Sequence, residues 1–149
     1  MTALAFASTL VAQDLRAEGA AFCNTLSAVL ASAPDKFESL RTEQFDNRLE
    51  SFAANLQVPG FEACYVDGIR PAFFCLRRGL SDSEAEALAA EITMRIARCF
   101  PEPQPTTARD PRSPVPRIVT TWSLPEGRLI RLVRRDYAEH PGSVYLHIH

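Results

Sequence analysis

The chain has 149 residues, 46% hydrophobic, 23% charged and 9% aromatic, with 16 basic against 18 acidic side chains and a net charge of -2. One ordinary globular domain is the expectation from that length and composition, and the apolar content excludes disorder throughout. No apolar run reaches the 18 or so residues of a spanning helix, and the slight negative charge argues against a nucleic-acid partner, which asks for a basic domain.

Residues 1–12 hold an apolar stretch, Ala3 to Ala12, of the length of a signal-peptide h-region. Leu10 and Ala12 suit its cleavage positions, although no Lys or Arg precedes the run. The alternative is that residues 3–12 open an amphipathic helix. From residue 17 to 149 a single α+β domain is expected. Ala17 to Ala33 reads as a helix stopped by Pro34-Asp35. Residues 36–47 show no period and read as loop. Phe52, Ala54 and Leu56 alternate within 48–57, favouring a strand. Pro59-Gly60 marks a turn, and runs 61–66 and 72–78 form a hairpin around Asp67-Gly68-Ile69-Arg70-Pro71. Ser81-Asp82-Ser83-Glu84 is a capping box opening a helix from about 82 to 99, with Arg95 and Arg98 at its negative end.

Six of the eleven prolines lie in 101–116, which reads as an extended Pro-rich loop. Three strands follow, Ile118 to Trp122, Arg128 to Arg134 and Ser143 to His149, with turns at Leu124–Gly127 and His140-Pro141-Gly142. In the last, Val144, Leu146 and Ile148 share one face, and Tyr145, His147 and His149 the other. The expected architecture is a two-layer antiparallel sheet with two helices on one face. Its halves echo each other as helix-then-strands units.

The four cysteines, Cys23, Cys64, Cys75 and Cys99, show neither CxxC nor zinc-ligand spacing. A hairpin centred between Ile69 and Arg70 sets Cys64 directly opposite Cys75. Cys23 shares a helical stripe with Leu26, Leu30 and Ala33. Cys99 shares one with Ala85, Leu88, Ile92 and Ile96. Packing those helices together brings the thiols into bonding range, closing a loop worth about 3–5 kcal/mol. Two bridges place the chain in an oxidising compartment, periplasmic or secreted. The competing reading is four reduced, buried thiols.

No GxGxxG, P-loop, HExxH or GxSxG occurs, and no Asn-x-Ser/Thr sequon. No cofactor is expected. His147 and His149, two apart on a strand, point the same way, and His140 is a conceivable third ligand. That is a weak metal site. Asp136, His140 and Tyr137 lie close in sequence with no nucleophile beside them, so no catalytic residue is assigned. Arg117, Arg128, Arg131, Arg134 and Arg135 concentrate in the C-terminal third. With Trp122 and Tyr145 they form a candidate binding surface, weighed against an ordinary solvated face. Arg131 and Arg135 fall on one side of their strand, Arg128 and Arg134 on the other.

The element order resembles that of secretion chaperones, which implies a cytoplasmic chaperone or adaptor as one alternative; a metal-binding or hydrolytic protein built around His140, His147 and His149 is the other. The leading expectation is a small exported, non-catalytic protein-binding domain, inhibitor- or immunity-like, whose partner is another protein of its compartment. Its open sheet face, edge strands and Pro-rich loop are the contact surfaces.

Overall fold

The computed structural model describes residues 4–110, 115–135 and 142–149, with side chains from residue 15 onward. Two helices, α1 (Leu4–Ala31) and α2 (Asp82–Cys99), each precede four strands. The first four are β1 (Arg41–Asp46), β2 (Ser51–Ala54), β3 (Ala63–Asp67) and β4 (Ala72–Leu80). The second four are β5 (Thr106–Asp110), β6 (Arg117–Ser123), β7 (Leu129–Arg135) and β8 (Gly142–Ile148). These strands form one antiparallel sheet in the order β1-β2-β3-β4-β8-β7-β6-β5. Each half is therefore a helix and a four-strand meander, and the last strands of the two meanders pair at the centre. The α+β expectation holds, with four strands per half where the sequence suggested two or three and then three.

Two strands lie where loop was expected. β1 falls in 36–47, after two short 3₁₀ turns at Ala33–Asp35 and Glu38–Leu40. It is an edge strand with most of its side chains exposed, so its sequence carries no alternation of apolar and polar residues. β5 falls inside the Pro-rich stretch, at Thr-Thr-Ala-Arg-Asp, five residues free of proline. It too is an edge. The first helix begins at Leu4 rather than Ala17, so the apolar segment and the core-packing helix are continuous.

Both helices cover the same face. Phe22, Leu26 and Val29 on α1 and Ala85, Ile92 and Ile96 on α2 are buried at helical spacing. They meet Val66, Phe73, Ile130, Leu132, Val144, Leu146 and Ile148 from the strands, all buried. Cys23 lies on the flank of the α1 stripe rather than at its centre. The start of α2 is fixed by the expected capping box: Ser81 Oγ accepts from the Glu84 N–H at 3.2 Å, and the Glu84 carboxylate accepts from the Ser81 N–H at 2.8 Å. That second bond holds the Glu84 carboxyl below its ordinary pKa. Gly60 turns with φ 98°, and a Cβ there would stand 3.4 Å from the Ile92 side chain, so glycine serves both the turn and the close approach to α2.

All four cysteines are oxidised in the expected pairs. Cys23–Cys99 ties α1 to α2 with Cα atoms 5.3 Å apart. Beside it, the Arg95 guanidinium lies over the Phe22 ring at 5.6 Å. Cys64–Cys75 bridges register partners on β3 and β4, Cα atoms 4.0 Å apart, on the helix-covered face. Two disulfides point to an oxidising, extracytoplasmic compartment. Among the described residues no helix is long and apolar enough to cross a membrane.

Candidate functional site

Among the described residues, no helix covers the second face of the sheet. Strand alternation dictates what it displays. Cys64 and Val66, Phe73 and Cys75, and Val144, Leu146 and Ile148 all point to the core. The residues between them therefore point outward: Tyr65, Phe74, Tyr145 and His147. Register aligns the outward residues into rows. Ala53, Tyr65, Phe74, His147, Arg131, Thr121 and Thr106 are successive cross-strand partners from β2 to β5.

The β1–β8 part of the open face is aromatic. Phe45 meets Tyr65 with ring centroids 4.9 Å apart, Tyr65 meets Phe74 at 5.3 Å, and Phe74 stacks on His147 at 6.1 Å. Phe45 is 57% exposed at the sheet edge. His147 also neighbours Tyr145 at 6.4 Å and His149 at 6.1 Å.

The β8–β5 part is cationic. Ser143, Arg135, Arg117 and Asp110 are register partners, and Arg117 forms an ion pair with Asp110. The Arg135 guanidinium lies 4.9 Å over the Tyr145 ring. Arg131, opposite His147, is exposed. These side chains surround a shallow concavity of about 410 Å³, floored by Val119, Thr121 and Val133.

That setting keeps the imidazoles neutral. Burial first, then the charges of His149, Arg135 and Arg131, push the His147 pKa down from 6.5 to about 4. Burial and Arg131 also lower His149. Protonation is thus favoured in the unfolded chain, and His147 contributes stability that is complete above pH 6.5 and is lost as pH falls towards about 4. An NMR titration is expected to give His147 a midpoint near 4. A midpoint near 6.5 would show that the ring is solvated and uncoupled from the arginines.

The sequence-derived surface is divided by the fold. Arg117, Arg131, Arg135 and Tyr145 share the open face. Arg134 alternates to the other side of β7, and Arg128 precedes β7 beside Leu30, Phe100 and Leu124 at the ends of the helices. Trp122 is corrected outright: it is fully buried in the core and offers no contact area. Ile118 to Trp122 is β-branched at both parities, so its sequence does not say which side faces in.

Phe45, Tyr65 and Phe74 were not anticipated. The signal was present for two of them, since a hairpin that buries Cys64 and Cys75 must turn Tyr65 and Phe74 outward. His147 and His149 do share a face, and no third His, Cys, Asp or Glu completes a metal-ligand group among the described residues. Asp136, Tyr137 and His140 lie outside the described residues, as do residues 111–114 of the Pro-rich segment. Comparison with models of known protein families, with characterised proteins and with solved structures finds no match.

Proposed function

We propose that the chain is an exported, non-catalytic binding domain that engages another protein through the open face of its sheet. One observation supports this above the rest: the uncovered face carries a continuous ring-to-ring row, Phe45–Tyr65–Phe74–His147, reaching an exposed edge. Aromatic side chains give large contact area at low entropic cost and dominate binding energy at protein interfaces. The edge strand β1, which carries Phe45, adds unpaired backbone groups for strand addition. A face held on a doubly cross-linked body is preorganised, which suits an inhibitor- or immunity-like role in the periplasm or outside the cell. Ala3–Ala12 is the targeting segment in this reading, and N-terminal sequencing of the mature chain should then start near Gln13.

The binding test uses the full chain as bait in its native compartment, beside Phe45→Glu and Tyr65→Glu. Each substitution is expected to weaken partner retention by about thirtyfold, the scale of a lost aromatic anchor, while far-UV dichroism is unchanged. Equal retention by both variants would remove the aromatic row from the interface.

A further inference from the structure

We propose that the concavity over β6, β7 and β8 is a binding site for a small oxyanion, a phosphate or carboxylate group, gripped by Arg131 and Arg135. The recess of about 410 Å³ has the volume of a small-molecule site and a floor of small side chains. Arg131 and Arg135 are four residues apart on β7, on one face and about 13 Å apart along the strand, close enough for two long side chains to lean together over Val133. Arg131 and Arg135 line the same recess as His147.

The charge balance favours an anion. Among the described residues, Asp110 is the one acidic side chain lining the recess, and it is engaged by Arg117, so arginines outnumber carboxylates there. The Nε atoms of Arg117 and Arg135 are shielded from solvent and have no hydrogen-bond partner among the described residues. A planar guanidinium matches an oxyanion in bidentate fashion, which makes phosphate or carboxylate the fitting chemistry. Tyr145 supports Arg135 from below, and neutral His147 and His149 add uncharged polar contacts at the rim. The inference does not rest on the partner-binding proposal, whose test uses residues beyond the recess.

The experiment is an NMR titration of the full chain with inorganic phosphate and, separately, with citrate, using sodium chloride at matched ionic strength as the reference. Saturable shifts of the Arg131, Arg135 and His147 signals are expected with at least one of the two anions. Tighter phosphate assigns the site to phosphate esters, and tighter citrate to polycarboxylates. Arg131→Gln and Arg135→Gln should each weaken binding about tenfold. Arg78→Gln, which removes an exposed arginine paired with Glu62 outside the recess, should leave it unchanged. Non-saturating shifts equal to those in chloride, or equal losses in all three variants, would overturn the proposal.

Discussion

Replacing Cys23 and Cys99 together by serine is expected to lower the unfolding free energy by about 4 kcal/mol, the larger of the two disulfide effects. The bond ties α1 to α2 and spans 76 residues, so it strongly constrains the unfolded chain. Replacing Cys64 and Cys75 should cost about 3 kcal/mol, because the loop it closes spans only 11 residues. Losses of that size are a large share of the stability of a small domain. Urea unfolding of the two double variants measures them. An equal or reversed order would mean that native-state strain or residual structure, rather than loop closure, sets the contribution of these bonds.

The second large effect is at Trp122. Trp122→Ala is expected to destabilise by about 3–5 kcal/mol through the cavity it leaves under the helices. Trp122→Phe should cost far less. The indole Nε1 is buried without a hydrogen-bond partner, so phenylalanine removes an unsatisfied donor while keeping most of the ring. If Trp122 belonged to a contact surface, the alanine variant would keep its midpoint and lose binding instead. Thermal unfolding of the two variants distinguishes these cases.

The contrast between Trp122 and Cys64 shows what the sequence could and could not say. Cys64 and Cys75 flank a turn in which Asp67 accepts from the Ile69 and Arg70 N–H groups, so local chemistry fixes the register that pairs them. The α2 boundaries were legible for the same reason, since Ser81 and Glu84 satisfy the helix end within four residues. Trp122 depends on which face of a doubly β-branched strand the helices cover, a tertiary fact with no local signature. β1 and β5 are edges with most side chains exposed, so neither carries the alternation of apolar and polar residues that marks a strand. The candidate site shows the same division. Arg131, Arg135, Tyr145 and His147 were legible as strand neighbours by parity. Their convergence with Phe45, Tyr65 and Phe74 required β4 to pair with β8, across about 70 residues of chain, and loop closure on that scale leaves no pattern in sequence.

The pairing of four sulfurs underlies the compartment, the rigidity of the open face and the stability order above. Titrating natively purified chain with a thiol reagent in denaturant, without reductant, measures it most directly. No reactive thiol per chain is the expected result; four reactive thiols would contradict an oxidised, extracytoplasmic protein and with it the exported binding domain.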